Sequence, residues 1–152
     1  MAVDVVELDL TDPEVAAQVV GVQRGAYGVE AELIEYDEIP PLLETVEEVA
    51  DLDLVVLGAH EEGKLVGILG YSRDGDVVEI DRLAVHPSAF RRGIGRTLIE
   101  TLHEREPDAT RFEVSTGAAN HPALALYRSL GYHVTHHESL PGLTITHLLR
   151  LR

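Results

Sequence analysis

The stretch Phe90-Arg91-Arg92-Gly93-Ile94-Gly95-Arg96-Thr97-Leu98 follows directly on Ile80-Asp81-Arg82-Leu83-Ala84-Val85-His86-Pro87. An apolar strand runs into a proline, then a basic glycine turn, then a helix. That succession narrows the folds open to the chain more than any other feature. Gly93 and Gly95 allow backbone torsions closed to other residues and clear side chains from the approach. The helix that starts there carries unpaired N–H groups and the positive end of its dipole. Arg91, Arg92 and Arg96 add formal charge. The whole reads as an anion site suited to a pyrophosphate.

Two common phosphate loops are excluded. No Gly-Lys-Ser/Thr follows, so this is not a Walker A loop. A dinucleotide fingerprint needs a third glycine where Leu98 stands, and an acidic residue about 20 positions on at the end of a second strand. A second block lies downstream: Asn120-His121-Pro122-Ala123-Leu124-Ala125-Leu126-Tyr127-Arg128-Ser129-Leu130-Gly131-Tyr132. Asn120 suits a helix N-cap, Pro122 the first turn and Gly131 the position after the helix. Ala123, Leu126, Tyr127 and Leu130 recur at helical spacing and form one apolar face.

Together the blocks resemble the GNAT acetyltransferases. That family's acyl-CoA turn is Arg/Gln-x-x-Gly-x-Gly/Ala after a strand ending in Leu-x-Val-x-Pro. Leu83, Val85, Pro87, Gly93 and Gly95 match, while Phe90 departs at the first position. The Asn120 block is similar to the later family motif, in which a Tyr precedes Gly-Phe/Tyr. The resemblance spans roughly residues 64–135. It implies an α/β (α+β) fold with a mixed, mostly antiparallel sheet of about seven strands. About four helices would flank the sheet, which would splay at the two strands holding acyl-CoA.

Periodicity along the chain supplies the elements. Val3–Leu8 alternates as a strand, and Thr11 or Asp12 with Pro13 and Glu14 starts a helix ending near Gly25 or Gly28. Residues 29–41 read as a loop with partial helix, and Leu42–Ala50 as a second helix. Leu54–His60, Lys64–Arg73 and Val77–Val85 form a meander joined by Glu61-Glu62-Gly63 and Asp74-Gly75-Asp76 turns. A helix over Ile94–Glu104, a strand over Arg111–Ser115, the Asn120 helix and a hairpin of His133–His137 with Thr144–Leu149 complete the order. The 152 residues read as one domain, 1–152.

Composition excludes several classes. There is no cysteine, hence no disulfide frame, thiolate metal site or cysteine nucleophile. No segment has the length of a membrane span and no export signal is visible, so the expectation is a cytoplasmic protein without a membrane partner. The net charge of −15 is uneven: residues 1–62 hold 17 acidic residues and one basic, Arg24. A polyanion would be repelled, so nucleic acid is not an expected partner. The acidic half reads either as a solvated surface or as a frame for a cationic acceptor.

The resemblance also implies site roles. Backbone groups at Leu83, Ala84 and Val85 would hold the pantetheine arm, and those of Arg91, Arg92, Gly93, Ile94, Gly95 and Arg96 the pyrophosphate of acetyl-CoA. Asn120 would cap its helix and touch the arm. By spacing alone Tyr127 is a core aromatic; in the family motif its position implies the general acid to the CoA sulfur. Glu79 stands where members often carry a base, and Asp81, two residues on, shares its strand face in regular geometry. Asp81 and Glu113 are lesser candidates for the base. Tyr27, Glu30, Glu32, Glu35, Tyr36 and Asp37 precede the meander and would line the acceptor site, where rings and carboxylates suit an amine.

The expected reaction is N-acetyl transfer from acetyl-CoA to a primary amine in a ternary complex, the acceptor a small cationic amine. The alternatives are a peptide or protein acceptor and a non-catalytic acyl-CoA sensor. No metal is expected, because His133 and His137 on a strand face away from His136. A homodimer is open, in which the apolar last strand, Thr144–Leu151, could pair or exchange across the interface.

Overall fold

A computed structural model describes residues 3–36 and 39–152 of the chain. The elements run β1 (Val3–Glu7), α1 (Pro13–Ile34), α2 (Pro40–Leu43), α3 (Val46–Ala50), β2 (Val55–Glu61), β3 (Lys64–Asp74) and β4 (Val77–Val85). A 3-10 turn at Pro87–Ala89 leads to α4 (Ile94–Arg105), β5 (Arg111–Gly117), α5 (His121–Ser129), β6 (His133–Leu140) and β7 (Leu143–Leu151). The strands form one seven-stranded sheet in the order β1-β2-β3-β4-β5-β7-β6. Only β4 and β5 run parallel.

One apolar cluster lies on each face of the sheet. Ile94, Leu98, Ile99 and Leu102 of α4 and Leu124 and Tyr127 of α5 pack on one face around Phe112 and Leu69. Ala16, Val19, Val20 and Tyr27 of α1 with Val49 of α3 cover the other, over Val56 and Ile68.

Helix α1 differs from expectation. It does not stop at Gly25 or Gly28 but continues to Ile34, where Glu35 closes it in the left-handed region at φ 54°. Interior glycines cost about 1 kcal/mol each relative to alanine. Here the apolar stripe continues through Tyr27 and Ala31, and tertiary burial outweighs that cost. Gly25 serves close packing rather than termination, since a Cβ there would lie 2.9 Å from the His86 ring. Asp12 begins the helix, its carboxylate accepting from Glu14 N–H at 3.0 Å.

The expected single helix over Leu42–Ala50 is two short ones. Glu44 is extended at ψ 141°, and Thr45 with Glu48 forms a reciprocal capping box that starts α3 afresh. At the far edge, β7 lies between β5 and β6 with both its sides paired, so β6 is the outer strand. The strand expected to pair across a dimer is therefore already satisfied within the sheet. A register shift at Thr135 breaks the alternation assumed for the histidines. His136 instead stacks on His147 with ring centroids 4.3 Å apart.

Candidate active site

The sheet opens where strand pairing stops. β4 and β5 pair from Val77↔Arg111 to Ile80↔Val114 and no further. β5 continues beside β7 to Gly117↔Ile145. The divergence begins at a bulge in β4: Gly70 faces Arg82 and Tyr71 faces Ile80, which leaves Asp81 as the extra residue. A cleft of about 340 Å³ fills the opening, with walls from α1, the Ile39–Pro41 segment, β4, β5 and α5.

Leu83 lies at the centre of this opening. Its N–H donates to the Tyr27 hydroxyl, which donates back to the Leu83 carbonyl, both at 3.2 Å. These groups therefore point away from β3, into the gap. Alternate residues of a strand direct their peptide groups to the same side, so those of Val85 face the gap too. An extended chain bearing amides would find donors and acceptors in register along this edge.

Beyond β4 the turn presents a second set of donors. Arg91 and Gly93 both adopt left-handed torsions, φ 66° and 73°. The first helical bond of α4 is Thr97 N–H to Gly93 carbonyl at 3.0 Å, and the N–H groups of residues 91–96 have no partner among the described residues. Gly95 permits close contact with α5, where a Cβ would lie 3.1 Å from Leu126. Two of the three arginines are engaged elsewhere. Arg92 pairs with the buried Glu61 of β2, and Arg96 donates to the Ser129 hydroxyl at 2.8 Å. Backbone amides, supported by the Arg91 charge, are what the turn offers an anion.

Tyr127 is 3% exposed, and its ring meets Tyr132 edge-on at 5.5 Å. Its hydroxyl makes no hydrogen bond among the described residues, although no buried side-chain polar atom there lacks a partner. The oxygen therefore opens onto the cleft it lines. Burial pushes its pKa well above that of a free phenol, and Tyr27, Tyr132 and Glu30 nearby add to the shift. Tyr27 is raised for the same first reason. Both stay protonated at any physiological pH.

Of the other expected residues, Glu30, Tyr36, Asp81 and Asn120 line the same cleft. Asn120 caps α5, accepting from Ala123 N–H at 3.3 Å, and its amide donates to Glu30 at 2.9 Å. Glu32 and Glu35 are exposed and outside the cleft, and Asp37 lies outside the described residues. Glu79 and Glu113 do not line this cleft. They border a smaller hollow of about 180 Å³ with His136 and His147, which touches the cleft only at Val114 and Ser115. The bulge at Asp81 ends the regular alternation that would have put Glu79 and Asp81 on one face.

Arg82 and Glu44 escaped the sequence reading. Arg82 is 7% exposed. Its guanidinium donates to both Glu44 oxygens at 2.6 and 3.2 Å, to Asp81 at 2.7 Å and to Gln23 at 2.9 Å. Gln23 in turn donates to the Pro41 carbonyl at 3.0 Å. The network pins the Pro40–Pro41 wall to α1 and β4. A signal existed: Arg82 occupies an inward position between buried Ile80 and Ala84, and a charge there requires partners.

A model of the Acetyltransferase (GNAT) family matches residues 22–132. UPF0157 protein YqkA of Bacillus subtilis is 37% identical over 118 residues, covering 78% of this chain and 34% of that protein. The chain thus spans about a third of that relative's length. N-alpha-acetyltransferase RimI of Mycobacterium tuberculosis is 37% identical over 109 residues, 68% of each chain. The crystal structure of the PaiA N-acetyltransferase from Thermoplasma acidophilum in complex with coenzyme A superposes with a TM-score of 0.76. That match covers 100% of both chains at 19% identity, a likeness of fold.

Proposed function

The chain belongs to the acetyltransferase (GNAT) family, and on that premise we propose that it moves an acetyl group from acetyl-CoA to a primary amine by direct attack in a ternary complex. One observation carries the reading. The unpartnered hydroxyl of a buried tyrosine, Tyr127, opens into the gap between β4 and β5, beside peptide groups of β4 that face the same gap. The bare amides of residues 91–96 suit the pyrophosphate, and those of Leu83 and Val85 the pantetheine arm and thioester. Tyr27 must yield the Leu83 N–H for the thioester oxygen to accept from it.

The chemistry follows from the balance of protons. An ammonium acceptor gives up one proton, and its nitrogen lone pair attacks the thioester carbon. The C–N bond forms, the tetrahedral adduct collapses, and the C–S electron pair leaves on sulfur. Tyr127, neutral in its buried setting, gives its proton to that sulfur; the second nitrogen proton restores the phenol. Leu83 N–H stabilises the carbonyl oxygen as charge develops on it. Glu79, across the smaller hollow, would reach the acceptor only through water at the Val114–Ser115 border.

The acceptor is a cationic amine, drawn to the carboxylates of Glu30 and Asp81 in the cleft. A peptide α-amine is the second reading, favoured by the relative named an N-alpha-acetyltransferase. A cytoplasmic location fits the absence, among the described residues, of any helix long and apolar enough to cross a membrane.

The test is free-thiol release from acetyl-CoA against polyamines, arylalkylamines and basic peptides with free N-termini, with donor binding followed by calorimetry. Acceptor-dependent release is expected. Tight donor binding without release on any of them would favour a sensor, and no binding would overturn the reading.

A further inference from the structure

The acceptor must lose a proton, and a carboxylate free to take it has to lie near the reacting centre. Asp81 is held by Arg82 at 2.7 Å, and Glu44 is bound at both oxygens by the same guanidinium. Glu79 is outside the cleft. Glu30, on the last turns of α1, is different. One of its oxygens, Oε1, accepts from the Asn120 amide at 2.9 Å and the Thr116 hydroxyl at 3.2 Å. The other, Oε2, has no hydrogen-bond partner among the described residues. Neither donor is charged, so the carboxylate is oriented without being neutralised. The residue is half-buried and lines the cleft with Tyr127.

We propose that Glu30 is the general base of the reaction. It meets the acceptor ammonium, takes its proton on Oε2 directly or through one water, and releases that proton to solvent after product leaves. This rests on the acetyl-transfer reading above. Its negative charge contributes to the raised pKa of both Tyr27 and Tyr127, so it acts within electrostatic reach of the acid. The other charged or titratable groups bordering the cleft are Tyr27 and Tyr36 from the α1 side, Asp81 and Arg82 on β4, and Tyr127 on α5. Asn120 and Thr116 are positioning residues for Glu30. The helix cap and the base are thus held by one side chain, which ties the start of α5, and with it Tyr127, to the opposite wall.

The experiment is Glu30→Gln, whose amide oxygen still accepts from Asn120 and Thr116. It is assayed on the full chain with acetyl-CoA and with spermidine and a basic peptide with a free N-terminus as acceptors. We expect turnover to fall about 100-fold with donor affinity, measured by calorimetry, within twofold of wild type. The pH profile discriminates further. Wild type should show a neutral plateau, whereas Glu30→Gln should lose it and rise tenfold per pH unit, because only pre-formed free amine reacts. Unaltered turnover and profile in Glu30→Gln, with an active wild type, would overturn the base and leave acetyl transfer standing. Loss of the plateau in Glu79→Gln instead would do the same. A silent wild type would overturn the parent reading and this one together. Should Glu30→Gln fail to bind donor, Glu30→Asp decides: reduced turnover with the plateau kept supports the base, and full turnover overturns it.

Discussion

Removing the Glu44 carboxylate should destabilise the fold far more than removing a surface charge. Glu44 and Arg82 are side chains only 14% and 6% exposed. Glu44→Ala deletes two charge-assisted bonds to Arg82 and leaves the Nη2 group of a buried guanidinium without a partner. Breaking a buried pair from one side costs about 3–5 kcal/mol, because the remaining charge stays desolvated. Asp81 still holds Nε and Gln23 still holds Nη1, which points to the low end, about 3 kcal/mol. For a chain of this size that is a fall in Tm of roughly 6–12 °C. Urea unfolding followed by circular dichroism reads it directly, since urea does not screen charge. The midpoint should drop with no change in slope, and the difference from wild type should persist at high salt, where surface pairs fade. Arg82→Met combined with Glu44→Leu separates mechanism from mere contact loss. With both charges gone their desolvation penalty goes too, leaving only the buried Gln23 oxygen unpaired, and stability should return to within about 2 kcal/mol of wild type. The double variant should nevertheless turn over poorly, because only the Gln23 bond to the Pro41 carbonyl then holds the Pro40–Pro41 wall. A loss below about 1 kcal/mol in Glu44→Ala, the range of an exposed pair, would refute the reasoning. So would a double variant less stable than the single one.

Two further outcomes follow from the same geometry. Tyr127→Phe keeps the ring against Tyr132 but removes the hydroxyl open to the cleft; turnover should fall about 100-fold while acetyl-CoA binding by calorimetry stays near wild type, and an unchanged turnover would remove the acid role. His103, desolvated and beside Arg150 and Arg152, has its pKa lowered to about 4 from the usual 6.5. Between those values the unfolded chain binds more protons than the folded one, so this residue's contribution to stability is full above about pH 6.5 and is lost as pH falls towards 4. Urea midpoints of His103→Gln between pH 6.5 and 5 should fall less steeply than those of wild type, and parallel curves would contradict the assignment.

How much of this was legible before folding depends on which interactions are local. The glycine turn and the helix start after it were, because both are properties of a few adjacent residues; Gly93 is left-handed at φ 73°. The Asn120 cap and the Tyr127 face of α5 were too, being set by helical spacing. The length of α1 was not: Gly25 and Gly28 read as stops, but close packing on His86 and a continuing apolar stripe are tertiary facts. That error carried a chemical consequence. In a loop with partial helix over residues 29–41, Glu30 is one of several acids; as part of a continuous helix it acquires a fixed direction, and Asn120 and Thr116, 86 or more positions away, acquire something to hold.

The strand β4 makes the complementary point. Period-two alternation paired Glu79 with Asp81, and one extra residue at Asp81 undid it. The same insertion turns β4 away from β5, opens the cleft and puts Arg82 where only a buried network can satisfy it. The bulge at the edge of the proposed thioester gap is therefore also what separates Asp81, which lines the cleft, from Glu79, which borders the smaller hollow. A strand regular enough to keep Glu79 facing the reaction would have gone on pairing past Ile80 and Val114, and there would be no gap to work in. Asp81, the carboxylate that β4 does bring to the cleft, is held by Arg82, so the proposed proton acceptor comes from an element that crosses the opening. Helix α1, extended to Ile34, lines that opening and brings to it a carboxylate with an oxygen left open.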